Sequence, residues 1–109
     1  MMTAEYVVIF CTCPDKDSAH GMAHFLVEAR LAACVTIAPP VISVYRWQGN
    51  IESAPEYMLM IKAGKNHYPA IEQAIKARHS YSIPEIIALP IVAGSTAYLN
   101  WINSCHLPD

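Results

Sequence analysis

At 109 residues the chain has the length of one domain, with 54% hydrophobic residues, 15% charged residues and a formal charge of −2. No basic stripe suits nucleic acid, no apolar run reaches the roughly 20 residues of a membrane span, and the opening Met1-Met2-Thr3-Ala4-Glu5-Tyr6 lacks the charged and apolar regions of a signal peptide. Average proteins carry about 25% charged residues, so this small domain is short of polar cover and a further subunit is expected to hide part of its surface.

Residues 6–11 form a near-continuous, β-branched apolar run, which predicts a strand buried on both faces. Pro14-Asp15 breaks it, and residues 15–18 supply N-cap chemistry for a helix over 19–33 with Met22, Leu26 and Ala29 on one stripe. Cys34–Ile37 predicts a strand stopped by Pro39-Pro40, and residues 41–48 predict another, with Val41, Ser43, Tyr45 and Trp47 on one face. Gly49-Asn50 signals a hairpin, and residues 57–62 return as a strand, with Tyr57, Leu59 and Ile61 opposite Met58 and Met60. A helix follows over 67–79, with Pro69 tolerated only in its first turn. Residues 83–92 predict a strand whose Pro84 and Pro90 argue for an edge position or for strand ends and bulges, and Gly94-Ser95-Thr96 opens a short C-terminal helix.

The order β-α-β-β-α-β-α predicts a single α+β domain over residues 1–109, a ferredoxin-like βαββαβ sandwich with a short C-terminal helix. Two long helices cover one face of its sheet. The strands are apolar on both faces, so a second or third copy of the chain is expected on the other.

Five blocks in chain order together resemble the CutA family of divalent-cation tolerance proteins. They are Cys11-Thr12 with Pro14-Asp15, Arg30-Leu31-Ala32-Ala33-Cys34-Val35, Ser43-Val44-Tyr45-Arg46-Trp47-Gln48-Gly49 with Ile51, His79-Ser80-Tyr81 leading into residues 84–91, and Gly94 with Tyr98-Leu99-Asn100-Trp101-Ile102. The resemblance covers about residues 7–103. It implies a ferredoxin-like fold, a PII-like homotrimer, and association with copper or another divalent cation. It also implies two metal positions, Cys11 and His79. Where the family has a pair of adjacent histidines this chain reads Arg78-His79, and a guanidinium does not ligate.

A thiolate and an imidazole suit copper or zinc, but two ligands make an incomplete site. Cys13 is a candidate third. Two residues along a strand place its thiol on the same side as that of Cys11, roughly 6.6 Å away, so the side chains would have to lean together. The alternative is two thiols packed at the end of a buried strand. His20 and His24 share a helix face at chelating spacing, a pattern that also occurs on solvated helices. His67 and His106 are expected in solvent. Met58 and Met60 read as core and Tyr45 and Trp47 as intersubunit packing, while Lys62 and Glu85 read as charges paired with each other or with solvent rather than lining a subunit cleft for a charged ligand.

No phosphate loop, nucleophile elbow or H-E-x-x-H motif is present, so no enzyme activity is expected. The four thiols, Cys11, Cys13, Cys34 and Cys105, fit a reducing compartment, with the cytoplasm as the expected location. The expected function is metal binding in divalent-cation tolerance. The alternative is a PII-like signalling or interaction module that takes a small ligand at subunit clefts.

Overall fold

Alternation along the first strand decides the layering. In β1 (Tyr6–Cys13) the side chains of Val7, Ile9, Cys11 and Cys13 are buried, while Tyr6, Val8 and Phe10 are half-covered. The structure, a computed structural model, describes residues 5–108, so the signal-peptide reading of the segment that opens Met1-Met2-Thr3-Ala4 lies outside the described residues. After β1 come α1 (Lys16–Glu28), β2 (Cys34–Ile37), β3 (Val41–Trp47), β4 (Asn50–Gly64), a 3-10 turn (Lys65–His67), α2 (Tyr68–Arg78), β5 (Ile87–Pro90) and α3 (Thr96–Cys105). None of the described helices is long and apolar enough to cross a membrane.

The antiparallel sheet runs β2-β4-β1-β5, with β3 pairing the first half of β4. This is the expected ferredoxin-like α+β plan. Pro39-Pro40 separates β2 from β3, yet both pieces pair with β4: Ile37 opposite Leu59, and Val41 opposite Glu56. Helices α1 and α2 put Ala19, Met22, Leu26, Ile71 and Ile75 against Ile9, Cys11, Leu59 and Ile61 to form one core.

Several boundaries differ from the sequence reading. Helix α1 ends at Glu28 rather than near residue 33. There Leu31 N–H donates to the Leu26 carbonyl (3.0 Å) and Arg30 N–H to that of Val27 (3.1 Å), with Arg30 at φ 60°. This is a Schellman stop with arginine where glycine is usual, so no sequence cue announced it. The hairpin tip is Gln48-Gly49, at φ 50° and 83°, and Asn50 already pairs with Trp47. Strand β4 reaches back to Asn50 through Pro55. That proline is tolerated because pairing with β1 begins only at Tyr57, so the missing N–H interrupts no second ladder. Strand β5 shrinks to four residues, Ile87–Pro90, on the outer edge of β1.

Candidate functional site

Strand β5 pairs with β1 only from Val7 to Phe10. Past Phe10 that edge of β1 has no strand neighbour, and His79, just after α2, takes the place of one. Its Nε2–H donates to the Thr12 carbonyl (2.7 Å), and its Nδ1 accepts from Tyr81 N–H (3.1 Å). A carbonyl only accepts, so these contacts fix the Nε2–H tautomer and use both ring nitrogens.

Around this bracket the Sγ atoms of Cys11 and Cys13 and a ring nitrogen of His79 lie within 4.8 Å of one another. The two sequence-predicted positions, Cys11 and His79, therefore meet, and Cys13 joins them. The thiols lean closer than their spacing along an ideal strand. Two sulfurs about 2.3 Å from one tetrahedral zinc are about 3.8 Å apart, so a small further closure suffices for a shared ion.

The pair is electrostatically asymmetric. The neighbouring Cys11 thiol holds the Cys13 thiol below its ordinary value, because the Cys11 S–H, which otherwise points to the Thr12 carbonyl (3.8 Å), is near enough to stabilise a Cys13 thiolate. The same proximity, together with complete burial and the carboxylates of Glu85 and Glu56, pushes Cys11 up. Those carboxylates oppose a bare thiolate and favour a cation beside it.

Cys13 opens onto a cavity of about 260 Å³ lined also by Ser18, Met22, Arg78, His79 and Ser80. The Arg78 guanidinium lies 3.4 Å from the centroid of the Phe25 ring, a cation–π contact at the mouth of the site. That guanidinium, next to His79, does not ligate. At the site's other border Tyr81 Oη–H donates to Glu56 Oε2 (2.8 Å). Glu56 is only 7% exposed, and desolvation with this bond pushes the Tyr81 phenol up to about 12. Sequence reading missed Glu56, whose position opposite Val41 shows only once the register of β4 is known.

A family model described as "CutA1 divalent ion tolerance protein" matches residues 7–105. The chain belongs to this family. The Divalent-cation tolerance protein CutA of Thermus thermophilus is 43% identical over 96 residues, spanning 88% of this chain and 93% of that protein. A crystal structure of CutA1 from Shewanella sp. SIB1 is 46% identical, superposes with a TM-score of 0.92, and covers 95% of this chain and 97% of that one. CutA from Xylella fastidiosa is 44% identical with a TM-score of 0.91, covering 94% and 98%.

The other sequence candidates divide. Met58 and Met60 are half-buried but stand outside the core cluster, on the sheet face opposite Leu59 and Ile61, while Tyr45 and Trp47 stay exposed on the hairpin. His20 and His24 stack on the exposed side of α1, ring centroids 6.5 Å apart. Lys62 does not pair with Glu85. It donates to Thr36 Oγ1 (3.3 Å), because strand pairing sets Cys34 beside it and Thr36 two residues on, while Glu85 stays exposed. His67 and His106 are not free in solvent. They stack with ring centroids 3.6 Å apart, since α3 returns against the end of β4.

Proposed function

We propose that this protein binds a copper or zinc ion through Cys11, Cys13 and His79, and that this binding is its part in divalent-cation tolerance. The convergence of three soft or borderline donors within 4.8 Å carries the reading. Two thiolates and an imidazole suit these ions, which the buried Glu56 and the nearby Glu85 would help to hold electrostatically. His79 must give up a hydrogen bond to ligate. Its one lone pair, on Nδ1, is taken by Tyr81 N–H, so binding displaces that donor, or exchanges the tautomer at the cost of both the Tyr81 and the Thr12 contacts. The ion supplies charge to two thiolates that burial alone disfavours, so its uptake releases protons. No catalytic role is assigned, and the free thiols fit a reducing compartment such as the cytoplasm.

The working form in this proposal is a homotrimer. Ile42, Val44 and Ile51 on the hairpin are each more than 60% exposed, and Ile87 and Leu89 on the edge strand remain uncovered. Apolar surface of this extent on so small a chain fits burial by further copies. Native mass spectrometry should give three times the 12.0 kDa of the chain, and a monomer mass would refute the assembly.

Calorimetric titration of the reduced protein with copper and with zinc tests the site. Saturable binding is expected, lost in a Cys11→Ala/His79→Ala double variant and weakened in Cys13→Ser. Equal binding by the double variant would sink the assignment.

A further inference from the structure

His106 follows α3 and makes two opposite hydrogen bonds. Its Nε2 accepts from Gly64 N–H at the end of β4 (2.8 Å), and its Nδ1–H donates to the Arg30 carbonyl (2.9 Å). This holds only for the neutral Nδ1–H tautomer, since a proton on Nε2 would face the Gly64 N–H. His67 lies parallel to His106, with ring planes 7° apart and centroids separated by 3.6 Å. The Nδ1 of His67 is buried with no hydrogen-bond partner, and burial with the neighbouring His106 holds the His67 imidazole below its usual value. Arg30 closes the loop from the other side: its Nη1 donates to the carbonyls of Leu107 (2.9 Å) and Cys105 (3.4 Å). Thus three places in the chain, the stop after α1, the end of β4 and the tail after α3, meet at two stacked imidazoles.

We propose that His67 and His106 form an acid-sensitive clasp that holds the C-terminal tail against β4 and Arg30, closed while both rings are neutral and opened by proton uptake. The charged groups around it favour this sign. From the loop after α1 comes the Arg30 guanidinium. The 3-10 turn brings the Lys65 ammonium, which with Glu5 lines a cavity of about 470 Å³ beside both rings. Among the described residues Glu5 is the one carboxylate in that lining, and Cys105 is the titratable neighbour on α3. The carbonyl end of α3 would ordinarily welcome an imidazolium, but Arg30 already serves those carbonyls. Because the closed geometry leaves no room for a proton on His106 Nε2 opposite the Gly64 N–H, and burial holds the His67 imidazole below its ordinary value of about 6.5, the clasp is intact while both rings are neutral and weakens as pH falls below that value. Arg30 at φ 60° adds backbone strain that the closed clasp holds in place.

Amide exchange at Gly64, followed by NMR on the intact protein and corrected for intrinsic rates, reads the clasp directly. Protection should fall about tenfold or more between about pH 7.5 and pH 5, with a slope approaching two protons. His106→Gln keeps an acceptor for Gly64 but does not titrate, so its protection should be flat. His67→Phe keeps the stack with one proton fewer, so its slope should be shallower. Flat protection in the wild type, an equal fall in His106→Gln, or an unchanged slope in His67→Phe would overturn the proposal. Should either variant fail to fold, nitrogen-15 spectra of the wild type decide: His106 must be the Nδ1–H tautomer at neutral pH. The other tautomer, or an imidazolium coexisting with a protected Gly64, would refute the clasp.

Discussion

Replacing His79 with alanine should destabilise the protein even in the absence of any metal. The ring supplies a donor to the Thr12 carbonyl at 2.7 Å and an acceptor for Tyr81 N–H at 3.1 Å. Thr12 is only 4% exposed and lies where β1 has run past the end of β5, so no ladder partner replaces the lost donor. The Cys11 thiol, at 3.8 Å, is a weak substitute. Each bond contributes about 0.5–1.5 kcal/mol net, and an unpaired buried carbonyl costs about 1–3 kcal/mol, so about 2–4 kcal/mol per chain is expected. At about 4–8 °C per kcal/mol for a domain of this size, the melting temperature should drop by about 8 °C or more. The assay is thermal unfolding of metal-free protein at one fixed concentration, because assembly would otherwise move the midpoint. His79→Gln, which restores a donor toward Thr12, should recover about half of the loss. A His79→Ala variant melting within about 2 °C of wild type would refute the bracket and leave His79 free to be a ligand alone.

The thiol asymmetry predicts that limited alkylation with iodoacetamide, mapped by mass spectrometry, labels Cys13 well before Cys11, and that Cys11→Ala moves the Cys13 titration upward by removing the S–H donor. Equal labelling of the two would contradict it. Tyr81→Phe removes the bond to the buried Glu56 and should cost about 1.5–3 kcal/mol, read from chemical denaturation. In the wild type the Tyr81 phenol should titrate at about 12 rather than 10.0 by ultraviolet absorbance, and Glu56→Gln should bring it down. The sign follows: a phenol raised on folding contributes stability that is whole below pH 10 and fades as pH climbs through about 12, so Tyr81→Phe and wild type should converge at strongly alkaline pH.

Much of the fold is legible because period and punctuation agree. Asp15 caps α1 as its position after Pro14 suggested, accepting from Ser18 N–H at 2.7 Å. Pro69 sits in the first turn of α2, and Pro84 ahead of β5 and Pro90 at its end go with an edge strand. What stayed hidden depends on contacts between distant residues. The stop after α1 uses a left-handed Arg30, whose strain is accepted because its side chain and carbonyl both bind the C-terminal tail some 75 residues later. His67 and His106 look like two polar residues at element ends until α3 folds back. The pairing of Glu56 with Tyr81 requires the register of a strand longer than its apolar core. The metal candidates fared differently: Cys11 and His79 came from resemblance to a family, and only the fold shows that Cys13 stands with them and that His79 already has two partners.

The site exists because β5 is short. Pro84 lacks an N–H, and pairing with β1 starts only at Ile87, opposite Phe10. Had β5 continued alongside Cys11 to Cys13, a backbone ladder would have taken the Thr12 carbonyl, and the histidine would have had no edge to bind. The same gap leaves Cys13 facing a cavity while Cys11 stays fully enclosed. In the proposed metal site one thiol would meet an arriving ion while the other is still protonated. The Cys11 proton would be surrendered only when the cation offsets the burial and the two carboxylates. On that proposal entry and retention divide between two cysteines on the same face of one strand, and the division follows from where an edge strand stops.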